Sequence, residues 1–169
     1  MLIIFSGLPG TGKTTLSRML AARIGAVYLR VDTIEAGLKR SMLQIGSAED
    51  AGYQAGCAIA EENLRLGMLV VADSVNPIAI SRRLWESAAR KADCPFKSIE
   101  IICSDTDEHR RRVESRTTDI DGLILPTWQR VVDREYEAWP AGHYQLDTAF
   151  KSTEACMKEL LSYIHKAQP

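Results

Sequence analysis

Short unbroken apolar runs alternate along the chain with longer stretches in which apolar residues recur every three or four positions. Leu2–Ser6 reads as a first strand, and Leu16, Met19, Leu20 and Ile24 mark the helix that Gly25 ends. Val27–Val31 reads as a second strand, followed by a helix from about Thr33 to Leu43. Beyond the looser 46–52 stretch, Tyr53, Cys57, Ala60 and Leu64 share a helix face, and Gly67 stops it. Met68–Ala72 has the continuous apolar character of a parallel strand covered on both faces, with Asp73 at its carboxyl end. Ile80, Leu84, Trp85, Ala88 and Ala92 define a further helix, Lys97–Cys103 a fourth strand, and Ser104 is the expected cap of the basic helix that follows. Trp128, Val131, Val132, Glu135, Tyr136 and Trp139 recur at helical spacing up to Pro140. Tyr144–Leu146 is a weak fifth strand, and Thr153–His165 a last helix presenting Met157, Leu160, Leu161 and Ile164. Such alternation predicts an α/β fold with a parallel sheet, helices on both faces, and ligands at the carboxyl ends of the strands.

Composition narrows this picture. With 169 residues, 46% hydrophobic and 25% charged, the chain has the make-up of one ordinary globular domain, read here as spanning 1–169. Its formal charge of −1 supplies no global basic field, so nucleic acid is not the favoured partner and any polyanion must be held locally. The longest apolar run, Leu66–Ala72, is seven residues, whereas a membrane-spanning helix needs about 20. No export signal is expected, since Met1–Phe5 runs directly into Ser6 and a glycine loop. Cys57, Cys94, Cys103 and Cys156 form no paired motif and are expected to be reduced thiols in the cytoplasm.

Gly7-Leu8-Pro9-Gly10-Thr11-Gly12-Lys13-Thr14 matches the full Gly-x-x-x-x-Gly-Lys-Ser/Thr phosphate loop, between a strand and a helix as the motif requires. Its glycines let successive N–H groups of Leu8, Pro9's neighbour Gly10, Thr11, Gly12, Lys13, Thr14 and Thr15 curl toward phosphate oxygens at a helix N-terminus. Lys13 is then expected to meet the β- and γ-phosphates and Thr14 to join a Mg²⁺ shell, with Asp73 opposite. The competing readings are a glycine-rich turn with a solvated Lys13, and an aspartate that caps a strand end. A hydrolytic motor of the usual type carries glutamate after that aspartate, but Ser74 stands there; the chain is also short for an AAA+ module with a helical lid domain. A GTPase needs an Asn-Lys-x-Asp motif, which is absent. Transfer to a bound acceptor is the better reading.

Four segments together resemble the small P-loop kinases, a predicted-kinase group related to polynucleotide 5′-kinases and other small-molecule phosphotransferases. They are the phosphate loop, Arg30-Val31-Asp32, the stretch Val70–Pro77 containing Asp73-Ser74-Val75-Asn76-Pro77, and Arg112-Val113-Glu114-Ser115-Arg116. The resemblance implies a three-layer α/β/α sandwich whose five-stranded parallel sheet runs 2-3-1-4-5 under a small lid. It implies that Asp32 orients or deprotonates an acceptor hydroxyl and that Arg112 and Arg116 close over the phosphates. Related kinases often carry arginine three residues after the acceptor aspartate; here Glu35 stands in that place. Asp32-Thr33-Ile34-Glu35 also fits a capping box, so Asp32 is either a base or a helix cap.

Arg110 and Arg111 are expected on a solvated face, as are Arg82, Arg83, Arg90 and Lys91. His109, His143 and His165 lack ligand spacing, and Trp85 and Trp128 fit helix core faces. The function expected is ATP- and Mg²⁺-dependent phosphoryl transfer to an alcohol on a small molecule. Catalysis falls to Lys13, Asp32 and Arg116, nucleotide binding to residues 8–15 with Arg112, and metal binding to Thr14 and Asp73. The alternatives are a polynucleotide 5′-hydroxyl kinase or a nucleotide-dependent regulatory module with slow ATP hydrolysis. The acceptor and the oligomeric state stay open, although the 37–56 region is expected to line the acceptor pocket.

Overall fold

A computed structural model gives the architecture and describes residues 1–42, 47–140 and 143–165. Five parallel strands, β1 (Leu2–Ser6), β2 (Val27–Arg30), β3 (Val70–Asp73), β4 (Phe96–Ile102) and β5 (Tyr144–Asp147), form one sheet in the order β2-β3-β1-β4-β5. The helices are α1 (Lys13–Ile24), α2 (Val31–Arg40), α3 (Ala51–Arg65), α4 (Ala79–Lys91), α5 (Thr106–Ser115), α6 (Trp128–Val132) and α7 (Thr153–His165).

Strand pleating explains the two cores. On β1, Ile3 and Phe5 pack with Leu16 and Leu20 of α1 and Met157 and Leu160 of α7. Leu2 and Ile4 point the other way, to Cys57, Ala60 and Leu64 of α3 and Trp85, Ala88 and Ala89 of α4. Because β1 and β3 are buried on both faces, their sequences read as continuous apolar runs. Trp85 is fully buried and its indole N–H donates to Ser74 Oγ at 3.2 Å, tying α4 to the loop after β3.

Several boundaries differ from the sequence reading. β2 stops at Arg30 and α2 begins at once with Val31, so Asp32 lies inside the helix's first turn. The expected helix end at Leu43 lies outside the described residues, and α2 ends at Arg40. β3 starts at Val70 rather than Met68, and β4 starts one residue early at Phe96. Asp105, not Ser104, caps α5, its carboxylate accepting from Glu108 N at 2.8 Å; Ser104 instead pairs with Asp147.

The helical spacing from Trp128 to Trp139 is only partly realised, since α6 ends at Val132. Arg82, which the sequence places on the surface, is 5% exposed and packs against the chain beyond α6. Its guanidinium donates to the carbonyls of Asn76, Pro77, Glu137 and Ala138 and lies 4.2 Å from the centre of the Trp139 ring. The Glu137 N–H, which a continuing helix would direct to the carbonyl of Asp133, donates to Pro77 O at 2.8 Å instead, with Arg82 holding the carbonyls of 137 and 138 in place.

Candidate active site

The loop between β1 and α1 has the backbone its glycines allow. Gly7 has φ 142°, and a Cβ there would sit 2.2 Å from the Ile101 carbonyl oxygen. Gly10 has φ 87°, and a Cβ would meet Val113 Cγ2 at 2.5 Å. Gly12 is the N-cap of α1, with no side chain to satisfy the first N–H groups, so those donors and the positive dipole end remain available to an anion. Neighbouring elements fix the loop: His109 Nε2–H donates to Pro9 O at 2.8 Å, its ring meeting Trp128 edge-on, and Thr148 Oγ1 donates to Thr11 O at 2.8 Å. His109 thus acts as a brace for the loop, which no metal-ligand spacing could have revealed.

At the loop's far end, Lys13 Nζ lies 3.1 Å from Asp73 Oδ1, and both residues are buried. Tyr28 OH donates to Asp73 Oδ2 at 2.7 Å. Burial pushes the Asp73 carboxyl up, but the Lys13 charge, with hydrogen bonds from Tyr28, Lys13 and Thr14, outweighs it and holds the group below its ordinary value. Tyr28 itself is pushed well up by burial and by the Asp73 charge, so its hydroxyl remains a donor. Carboxylate and hydroxyl are hard oxygen donors that suit Mg²⁺, and Asp73 is close enough to Thr14 to share a hydrogen bond. Among the described residues no three His, Cys, Asp or Glu side chains form a metal cage, so an ion here would depend on phosphate oxygens for the rest of its shell.

A cleft of about 910 Å³ opens from the loop over the carboxyl ends of β2 and β3. Lys13, Thr14, Thr15, Asp32, Arg112 and Arg116 all line it, so the structure brings the expected site residues into one cavity with Asp73 behind Lys13. From the 37–56 region Glu49, Asp50, Tyr53 and Gln54 line it as well. A smaller cavity of about 270 Å³ shares Gly12, Thr15 and Arg112 and continues to Thr148, Lys151 and Cys156.

Asp32 does not cap α2: the N-cap position is Arg30, and no side chain caps it. The Asp32 carboxylate instead lies 3.7 Å from Arg30 Nε. Glu35, half-buried in the same wall, is pushed up by burial and by the Asp32 charge. Arg112 is held by Glu108 Oε1 at 2.8 Å and Thr148 Oγ1 at 2.8 Å, bracing α5 against the loop after β5. Arg116, just past α5, is not held in that way; its Nε is buried without a partner. Residues 117–119 and 123–126 cover the cleft, tied down by Asp119, whose carboxylate takes Arg18 at 2.6 Å and Arg30 at 2.8 Å. Arg110 and Arg111 pair with Glu114 and Glu108 on the exposed face of α5, as expected.

Sequence reasoning missed Tyr28, Arg30, Tyr53, His109, Asp119 and Thr148. The alternation of Tyr28 and Arg30 on one face of β2 is the only local signal among them.

Comparison with known proteins agrees with this geometry. Kti12 from Chaetomium thermophilum, solved with ADP-AlF3, superposes with a TM-score of 0.67 at 24% identity, over 98% of this chain and 100% of that one. APS kinase CysC from Mycobacterium tuberculosis, in complex with AMPPNP and APS, gives 0.66 at 20% identity, covering 98% and 97%. A gluconokinase from Sinorhizobium meliloti 1021 gives 0.63 at 18% identity, covering 95% and 89%. A search of curated protein sequences finds no match. These likenesses establish the fold, a P-loop kinase-like sandwich with the sheet order 2-3-1-4-5. A family model described as AAA domain matches residues 2–134. With most of its length matched, and with the phosphate loop, Asp73 and Arg116 all inside the matched span, the chain belongs to the AAA domain family.

Proposed function

We propose that the chain is a phosphotransferase that moves the γ-phosphoryl group of Mg²⁺·ATP to a hydroxyl of a small molecule. The observation that carries this reading is the cleft of about 910 Å³ that the phosphate loop and Lys13 line together with Asp32 and Arg116. Water attack needs no such extension beyond the phosphates, whereas an acceptor alcohol does.

In this reading the N–H groups of Leu8 and of residues 10–15, in a loop shaped by Pro9, and the Lys13 ammonium hold the β- and γ-phosphates, with Arg112 at the border of the nucleotide. The Asp32 carboxylate orients the acceptor hydroxyl. The acceptor oxygen bonds to Pγ as the bond from Pγ to the β,γ-bridging oxygen breaks, ADP leaves with that electron pair, and the hydroxyl proton passes to Asp32. Arg116 offsets the charge spreading over the phosphoryl oxygens. Mg²⁺ would be held by Thr14 and Asp73, and when bound it neutralises charge on the β- and γ-oxygens. ATP as donor is supported by the AMPPNP bound in the M. tuberculosis relative.

A polynucleotide 5′-end fits less well, because Glu35, Glu49 and Asp50 line the cleft beyond Asp32 and the chain's formal charge is −1. Free thiols at Cys57, Cys94, Cys103 and Cys156 suit the cytoplasm, and no helix among the described residues is long and apolar enough to cross a membrane. The test compares ATP consumption by the purified chain with and without a panel of small alcohols. Consumption that rises only with particular alcohols supports the proposal. Equal consumption in their absence points instead to a regulatory ATPase.

A further inference from the structure

Three buried side-chain N or O atoms among the described residues lack a hydrogen-bond partner: Arg30 Nε, Asn76 Oδ1 and Arg116 Nε. Two of the three are arginine donors in the walls of the same cleft. We propose that Arg30 is a second phosphoryl-binding arginine, acting with Arg116 on the group in transit between ATP and acceptor. The inference rests on the phosphotransferase reading and adds to it a catalytic residue that neither the loop motif nor the lid motif contains.

Buried donors in folded proteins are nearly always paired, and one left open sacrifices about 1–3 kcal/mol, more when charged. The Arg30 side chain is 10% exposed, and its far nitrogen NH1 is fixed by Asp119 at 2.8 Å. That anchor sets the plane of the guanidinium and leaves Nε–H facing Asp32, whose nearest oxygen at 3.7 Å is too far for a hydrogen bond. Arg116 lines the same cleft from the end of α5. Burial works against its ionised form, the Asp32 charge offsets only part of that, and the Arg30 charge adds to it. The carboxylates nearby, Asp32 and the Asp119 that Arg18 shares, leave both Nε–H groups unmet, and a phosphoryl group carries the oxygens and the charge to meet them.

Position assigns the two arginines different sides of the transfer. Arg30 lies two residues before Asp32, the residue assigned to the acceptor hydroxyl, whereas Arg116 comes from the segment that covers the nucleotide. The place three residues after Asp32, one helical turn on, holds Glu35 and not a cation. Glu35 is packed so closely on α3 that a Cβ on Gly52 would lie 2.5 Å from its Cγ, so this position itself offers a carboxylate, with Arg134 the cation nearest to it in the cleft wall. Arg30 supplies a cation from the other side of the aspartate. In the transfer, Pγ loses its bond to the bridging oxygen and gains one to the acceptor oxygen, while the hydroxyl proton goes to Asp32; Arg30 holds an equatorial oxygen and exchanges no proton.

The experiment needs no acceptor. Calorimetry on the full chain with Mg²⁺ measures the affinity of ADP alone and of ADP with aluminium fluoride, which mimics the phosphoryl group in flight. In Arg30→Met the ADP affinity should stay within twofold, while the fluoride complex should bind at least tenfold more weakly, the low end for a charged hydrogen bond. Asp119→Asn removes the anchor but keeps Nε–H, and should cost less than threefold. If Arg30→Met is insoluble, Arg30→Lys keeps the charge without Nε–H and should still lose at least threefold. Unchanged fluoride affinity in the Arg30 variants overturns the assignment. So does an equal loss in Asp119→Asn, which would make Arg30 a tether for the covering segment. A wild-type chain that binds neither ligand would instead bring down the phosphotransferase reading itself.

Discussion

Tyr28→Phe removes one oxygen atom and, with it, the hydrogen bond of 2.7 Å to Asp73 Oδ2, leaving the ring where it packs beside Arg18. Asp73 is 1% exposed, so water cannot replace the lost donor and no screening discount applies. A hydrogen bond to a charged group is worth about 1.5–3 kcal/mol, which for a chain of this size corresponds to a fall in Tm of roughly 3–12 °C. The pH dependence follows from the sign of the Asp73 shift. Its carboxyl is held below its unfolded value, so the stabilisation is present above the unfolded carboxyl pKa, about 3.9, and is lost as pH falls through the folded value. Removing the Tyr28 donor shrinks that downward shift. The Tm difference between wild type and Tyr28→Phe should therefore be full at pH 7 and narrow as the pH is lowered below about 4. Thermal unfolding followed by circular dichroism across that range tests both points. A Tyr28→Phe protein with wild-type Tm at pH 7, or a difference that widens in acid, would refute the argument that Tyr28 holds an ionised Asp73.

Three further outcomes are expected. Lys13→Ala should abolish turnover and also lower Tm, because it strands Asp73 as a buried charge at a cost of about 3–5 kcal/mol; Lys13→Ala/Asp73→Asn should recover Tm but no activity, and recovery of activity would remove Lys13 from the phosphate site. Asp32→Asn should keep ADP affinity and Tm near wild type while cutting acceptor-dependent turnover at least tenfold, modest beside the usual ~10²–10⁴ for general-base help because phosphoryl transfer asks for little early proton abstraction; normal turnover would return the acceptor position to unassigned. Hydrogen exchange over 117–126 should slow when an ATP analogue and Mg²⁺ bind and quicken in Asp119→Asn, which loses the ties to Arg18 and Arg30; unchanged exchange in both would make this segment a fixed wall.

What the sequence by itself determined is what short-range spacing encodes. Glycines at 7, 10 and 12 dictate a loop backbone that residues with a Cβ would not tolerate, and the apolar runs of β1 and β3 reveal strands covered on both faces. From these alone the phosphate loop, Lys13 and the placement of Asp73 at a strand end were legible, and the sheet order followed from the family resemblance. Helix ends were less so, because the Glu137 N–H is taken by the carbonyl of Pro77, far away in sequence, while Arg82 holds the carbonyls of 137 and 138. Only tertiary structure decided which side chains complete the site. Tyr28 meets Asp73 across 45 positions, His109 meets Pro9 across 100 and Thr148 meets Thr11 across 137, and no periodicity links residues so far apart. The same holds for Arg30: in the sequence it ends a strand, and only when the chain folds does burial strip it of water, Asp119 fix one end, and its Nε–H stay without a partner.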